Sequence, residues 1–211
     1  MPSRTITLGV LASGRGSNLQ AMLDAIAEGR LAAKVAIVVS DRSDAQAPER
    51  ARAAGIPAVT VSPRAFPTRE EYDAQIAKIL GDAGTEVIVL AGYMRIVTNV
   101  LLRAFPDRVI NVHPSLLPAF RGLHAQRQAI DHGVKITGCT VHFVSEEVDS
   151  GAIILQAAVP VLGDDTEATL SERILAEEHR LLPQALQLYA EGRLTIQGRR
   201  VVITPNAHAL H

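Results

Sequence analysis

Thr5-Ile6-Thr7-Leu8-Gly9-Val10-Leu11 passes directly into Ala12-Ser13-Gly14-Arg15-Gly16-Ser17-Asn18-Leu19, and this junction decides the fold. The first seven residues have the apolar, β-branched character of a short strand, and the helical spacing of Leu19, Met22, Leu23 and Ile26 begins where the glycines stop. Gly29 ends that helix. Strand, glycine loop and helix in this order open an α/β unit. The first turn of such a helix has backbone N–H groups without intrahelical partners and the positive end of a dipole, which together suit a phosphate. Ser13 and Ser17 add hydroxyl donors. Gly14-Arg15-Gly16 also matches the start of a dinucleotide fingerprint, with Asp41 near the place of a ribose-binding acid. Leu19, however, stands where that fingerprint needs a third Gly or Ala for close helix packing, so a monophosphate site fits better. A tight turn without a ligand is the remaining alternative.

Outward from this unit the alternation continues. Residues 34–40 read as a second strand, 46–54 as a helix closed by Gly55, and 58–61 as a third strand. Thr68-Arg69-Glu70-Glu71 has capping-box spacing and starts a helix carried to about residue 82, with Tyr72, Ile76 and Ile79 inward. Val87-Ile88-Val89-Leu90 lacks polar alternation, as a central parallel strand covered on both faces would. A short helix at 99–104 leads to a strand over 107–112, and a further helix is expected at 126–132. Residues 136–144 and 152–161 read as an antiparallel pair joined by the polar turn 145–151. Residues 166–190 form a long amphipathic helix in which Pro183 predicts a kink or break, and 193–203 a hairpin turning at Gln197-Gly198. The expected fold is α/β: a Rossmann-like open twisted sheet, parallel in the N-terminal half and mixed with antiparallel strands in the C-terminal half, helices on both faces. A chain of 211 residues fits one such domain, with a phosphate-binding half to about 105 and a second half over about 106–205.

Asn111-Val112-His113-Pro114-Ser115-Leu116-Leu117-Pro118 is the candidate reaction centre. Strand alternation turns Asn111 and His113 to one face, and Pro114 and Pro118 stiffen the exit. Neither side chain is a good nucleophile. Asn111 can aim an amide N–H at an oxygen that becomes negative, charged His113 can donate to the same oxygen, and neutral His113 can take a proton from an attacking amine. That is acyl-transfer chemistry without a covalent enzyme intermediate. The plain alternative is a strand end capped by an imidazole and an amide bonded to a loop carbonyl. Asp149, in the turn between two strands, could approach the His113 strand end if that hairpin packs beside it; alone it reads as a turn residue.

Composition narrows the field. With 47% hydrophobic and 20% charged residues the chain is neither disordered nor membrane-spanning, and no apolar run is long enough for a bilayer. A net charge of −1 and 3% aromatic residues with no Trp give neither a basic footprint nor stacking platforms, so no nucleic-acid partner is expected. Cys139, the sole cysteine, leaves no internal disulfide; with no secretory leader recognisable, a cytoplasmic location is expected. Cys139 itself reads as a small buried hydrophobe. No His-Glu-x-x-His occurs, His208 and His211 sit in a tail, and no metal is expected. Glu178 and His179, on the long helix, read alone as a solvated face or a packing hydrogen bond.

Together, the loop at 13–19, Leu90-Ala91-Gly92-Tyr93-Met94-Arg95-Ile96, Asn111 through Pro118, and Val141-His142-Phe143-Val144 through Asp149-Ser150-Gly151 resemble the phosphoribosylglycinamide formyltransferases, folate-dependent enzymes of purine synthesis in the formyltransferase superfamily. The similarity runs in order over about residues 5–205. It implies formyl transfer from 10-formyltetrahydrofolate, the cosubstrate, to the amine of 5-phosphoribosylglycinamide. Asn111, His113 and Asp149 match the family's catalytic triad, with Asp149 keeping His113 charged and assisting proton transfer. Ser13, Gly14, Gly16, Ser17 and Asn18 match the phosphate and ribose end of the acceptor site, and Pro114 and Glu178 the rest of it. The folate pocket carries over to Arg69, Leu90, Met94, Arg95, Ile96, Val97, Val144, Glu146, Glu147 and Asp149. Arg69 would face the cofactor's acidic tail, and backbone groups of Arg95 and Val97 the pterin. Small-molecule substrates and a monomer or homodimer are implied. Arg121-Gly122 is a departure, because an Arg-Gly occurs at this place in methionyl-tRNA formyltransferases; His124-Ala125-Gln126-Arg127 then returns to the purine-enzyme pattern.

Two rivals share the chemistry and one does not. A 10-formyltetrahydrofolate hydrolase would use water in place of the amine, and is expected to carry an extra N-terminal regulatory domain. A methionyl-tRNA formyltransferase is expected to add a C-terminal RNA-binding domain, for which about ten residues after the last hairpin leave no room. A non-catalytic nucleotide-binding regulator would keep the phosphate loop but have no need of Asn111, His113 and Asp149 together.

Overall fold

The computed structural model describes residues 4–205, so the expectations for His208 and His211 lie outside the described residues. Among the described residues nine strands form one sheet in the order β3-β2-β1-β4-β5-β6-β7-β9-β8. Its first five are β1 (Ile6–Leu11), β2 (Ala33–Ser40), β3 (Ala58–Thr60), β4 (Val87–Leu90) and β5 (Val109–His113), all paired in parallel. Every residue of β1 and of β4 is buried, as strands covered on both faces must be. At β5 the direction changes: β6 (Ile136–Phe143) and β7 (Ile153–Pro160) each run antiparallel to the strand before. The hairpin of β8 (Leu194–Gln197) and β9 (Arg200–Ile203) joins β7 through the parallel pair Ile153 and Arg200.

Helices cover both faces. On one side Leu19, Met22 and Ala25 of α1 (Ser17–Ala27), Ala47 and Ala51 of α2 (Ala47–Ala53), Ala129 of α5 (Ala125–His132) and Leu170, Ile174 and Leu182 of α6 (Glu167–Ala190) pack on the sheet. On the other, Tyr72, Ile76 and Leu80 of α3 (Arg69–Asp82) and Leu101 of α4 (Asn99–Ala104) form a second core. Thr68 caps α3 by accepting from the Glu71 N–H at 3.1 Å. The sequence-based boundaries agree with these elements to within one or two residues, the ordinary fraying of ends.

One expectation is overturned in part. Pro183 does not break α6, which runs unbroken over 24 residues. Proline removes one intrahelical bond. Its neighbours Leu181, Leu182, Ala185 and Leu186 are all buried against the sheet, and this apolar contact holds the two halves of the helix together.

Because β2 and β3 lie on one side of β1 and β4 and β5 on the other, the chain reverses its order at β1. The loops leaving β1, β4 and β5 therefore open at the same carboxyl edge of the sheet, where open α/β sheets bind ligands. Residues leaving β1 and β5 are two strand spacings apart, about 10 Å.

Candidate active site

Antiparallel pairing of β5 with β6 sets His142 directly opposite Asn111 and Thr140 opposite His113. The turn after β6 then folds back over this face. Gly151 makes the fold-back possible: a Cβ there would lie 1.7 Å from the Phe143 carbonyl oxygen. Asp149 adopts a left-handed backbone with φ 49°, which Asp tolerates better than most residues, and this aims its carboxylate at β5. Its Oδ2 lies 3.4 Å from Nδ1 of His113 and accepts the Gly122 N–H at 2.8 Å. Its Oδ1 is 3.8 Å from Nε2 of His142, which in turn sits 3.2 Å from Nδ2 of Asn111. Asn111, His142, Asp149 and His113 thus form one arc of polar groups.

The arc fixes the protonation of His142. His142 is buried, and Nδ1 lies 2.8 Å from the Phe143 carbonyl, which can only accept, so Nδ1 carries the hydrogen. Burial, outweighing the attraction of Asp149, pushes the His142 pKa below its ordinary value and keeps the ring neutral. Nε2 is then a lone pair, and it accepts one N–H of the Asn111 amide. This settles which way the amide faces and leaves its second N–H for a ligand. In the sequence His142 is visible only as part of a motif; its place opposite Asn111 depends on the β5–β6 register, which no local pattern specifies.

Nε2 of His113 donates to the Phe120 carbonyl at 2.8 Å. Phe120 stands at φ 52° in the loop after β5, tied down by Arg121, whose guanidinium meets Glu147 at 3.0 Å. The expected donation from His113 to a substrate oxygen therefore meets an occupied N–H, because a backbone carbonyl already takes it. Pro114, half-buried beside His113, directs the chain into this loop.

At the β1 exit, Gly16 caps α1 with φ 72°, and a Cβ there would lie 2.8 Å from Ala47. No side chain among the described residues caps the helix, and the N–H groups of its first turn have no intrahelical acceptor. Gly14 is exposed and Ser17 half-buried. Ser13 is buried and its hydroxyl accepts the Met94 N–H at 2.9 Å, so it joins the glycine loop to the β4 exit and keeps only its own O–H to donate. Nδ2 of Asn18 donates to Glu178 at 2.8 Å, while its buried Oδ1 has no partner among the described residues. Glu178 is 7% exposed. Burial pushes its pKa up to about 7, with the Asn18 bond opposing. Of the two readings of Glu178 alone, the solvated face is overturned by its burial and the packing hydrogen bond, to Asn18 of α1, is present.

The β4 exit lies between these two centres. Met94 and Ile96 are 63% and 54% exposed, an apolar surface at the strand end next to that of Asn111 and His113. The Arg95 guanidinium stacks 4.9 Å over the Tyr72 ring. Leu90 and Val97 are packed in the second core, so only their backbone could face a ligand. Val144 packs partly on that core, Glu146 and Arg69 are exposed, and Glu147 is bonded to Arg121 and to Ser150. Among the described residues no group of three or more His, Cys, Asp or Glu could hold a metal, and no helix is long and apolar enough to cross a membrane.

A mixed α/β sheet with a glycine loop and an Asn-x-His strand end defines a class, and the sequence profile of the formyl transferase family matches residues 7–186. The chain belongs to the formyl transferase family. It is 43% identical over 185 residues to the phosphoribosylglycinamide formyltransferase of Escherichia coli (strain K12), covering 88% of this chain and 87% of that protein. The crystal structure of glycinamide ribonucleotide transformylase 1 from Symbiobacterium toebii superposes with a TM-score of 0.94 at 58% identity, over 95% of each chain. The chain is also 49% identical over 189 residues to the trifunctional purine biosynthetic protein adenosine-3 of Drosophila pseudoobscura pseudoobscura, and spans only 14% of the length of that larger protein. Within the family, the two of these proteins that the chain resembles over most of their own length are named as a phosphoribosylglycinamide formyltransferase and a glycinamide ribonucleotide transformylase.

Proposed function

We propose that the protein transfers the formyl group of 10-formyltetrahydrofolate to the amine of 5-phosphoribosylglycinamide, a step of purine nucleotide synthesis. The observation that carries this is the convergence of His113, Asp149, His142 and Asn111 at the β5 end, beside the β1 glycine loop. The acceptor's phosphate sits on the N–H groups of Gly16, Ser17 and Asn18, and Glu178 and Pro114 bound the space between phosphate and amine. The folate lies against Met94 and Ile96, with backbone groups of residues 95–97 and 144–149 reading its polar edge and Arg69 facing its acidic tail.

In the reaction the amine nitrogen attacks the formyl carbon. The carbonyl oxygen takes the negative charge, accepting from the second N–H of Asn111 and from Nε2 of His113. For this the Phe120 carbonyl must give up the His113 N–H, one carbonyl acceptor being exchanged for another. Asp149 holds the ring through Nδ1 and stabilises its positive charge. Collapse breaks the bond from carbon to the folate nitrogen; the proton released by the amine reaches that nitrogen through the Asp149 and His113 pair or a water between them. The new carbon–nitrogen bond replaces the old one, and no oxidant or covalent enzyme intermediate is needed.

Consumption of 10-formyltetrahydrofolate by the purified protein tests this. It should be fast only when phosphoribosylglycinamide is added, with formylated acceptor appearing in equal amount. Equal turnover without the amine would make the protein a hydrolase instead.

A further inference from the structure

The glycine loop is gripped from outside by α2. The Gly14 carbonyl accepts the N–H groups of Gln46 and Ala47 at 3.1 and 3.2 Å, and the Arg15 carbonyl accepts Nε of Arg50 at 2.7 Å. Arg50 also reaches Gln20 of α1 through Nη1 at 3.4 Å, and its Cδ lies 3.3 Å from where a Gly16 Cβ would stand. In a trans peptide the C=O and the following N–H point in opposite directions. With the Gly14 and Arg15 carbonyls held toward α2, the N–H groups of Arg15 and Gly16 are turned away from α2, to the inside of the loop. Gly16, at φ 72°, is the residue whose flanking peptides flip most readily, because no Cβ restrains them.

We propose that Arg50 is a positioning residue for phosphate recognition. It holds the Arg15–Gly16 peptide in the one orientation that presents an N–H, rather than a carbonyl oxygen, to the acceptor's phosphate. This rests on the glycine loop being the phosphate site. Arg50 does this from outside: Nε and Nη1 are both spent on the protein itself, on Arg15 and Gln20. Releasing the carbonyl lets the peptide rotate, and the loop then offers a dipole of the wrong sign to an anion.

Arg50→Met keeps the aliphatic stem over Gly16 and removes the donors. Steady-state kinetics are compared for the phosphorylated acceptor and for the same ribosylglycinamide without its phosphate, together with competitive inhibition by inorganic phosphate. Loss of a charge-assisted hydrogen bond should raise KM for the phosphorylated acceptor and the phosphate inhibition constant by about tenfold, with kcat within about twofold. The phosphate-free acceptor should be used equally by both proteins. Arg50→Lys, which retains a cationic donor, should recover most of the loss. Equal effects of Arg50→Met on both acceptors, or a lowered Tm with KM unchanged, would overturn the positioning role. A wild-type protein that does not distinguish the two acceptors would instead overturn the phosphate site itself. Should Arg50→Met fold poorly by circular dichroism, Arg50→Gln is read for the same split between acceptors.

Discussion

Substituting Glu178 by Gln should change how stability depends on pH. Glu178 is buried with one hydrogen-bond partner among the described residues, Asn18, and its pKa is raised from 4.5 to about 7. In the unfolded chain the carboxyl loses its proton near its ordinary value; in the native protein it holds on until about 7. Between these values the native state binds more protons than the unfolded state, so stability is full below about pH 4.5 and falls as pH rises through the folded value. At about 1.4 kcal/mol per pH unit the interval gives a loss on the order of 3 kcal/mol, complete above neutrality. Gln resembles the protonated acid and can still accept from Asn18, so Glu178→Gln should match the wild type near pH 4.5 and exceed it progressively toward pH 8. Urea unfolding at half-unit steps from pH 4.5 to 8 measures this. Parallel stability profiles for the two proteins would refute the buried, proton-holding state of Glu178.

Other changes follow from the same geometry. Asp149→Asn removes the carboxylate beside Nδ1 of His113; kcat should fall by about 10²- to 10⁴-fold with KM moved only severalfold, as steady-state kinetics with both substrates would show. His142→Leu deprives the Asn111 amide of its acceptor and should lower kcat about 10- to 100-fold, whereas His142→Gln, which keeps an acceptor, should retain more activity. Gly16→Ala forces a Cβ to 2.8 Å from Ala47 at a positive φ; thermal unfolding should show a loss of about 1–3 kcal/mol, and acceptor affinity should fall with it.

Much of the fold was legible because its signals are local. The apolar runs of β1 and β4 need no partner to be recognised, and the glycines at 14 and 16 mark where a strand must turn into a helix. Asn111 and His113 could be assigned one face because strand alternation is a property of two successive residues. Asp149 was a turn residue until the hairpin could be placed, and its proximity to His113 depends on Gly151 packing against Phe143. What escaped depends on register and on loops. His142 opposes Asn111 only because β6 pairs where it does. Ser13 binds Met94, 81 residues away, and Phe120 reaches His113 through a backbone carbonyl that no side-chain pattern reports. Pro183 suggests a kink or break because proline's cost is local, whereas the buried leucines on either side of it that hold the helix together act through tertiary contact.

In the proposed mechanism His113 acts in the transition state and does not hold the acceptor. Turnover of His113→Ala at saturating concentrations of both substrates, set beside the acceptor dissociation constant measured by calorimetry, tests it most directly. The expected result is a kcat at least about 10²-fold lower with an acceptor affinity close to that of the wild type. Wild-type turnover, or a loss confined to acceptor binding, would contradict it.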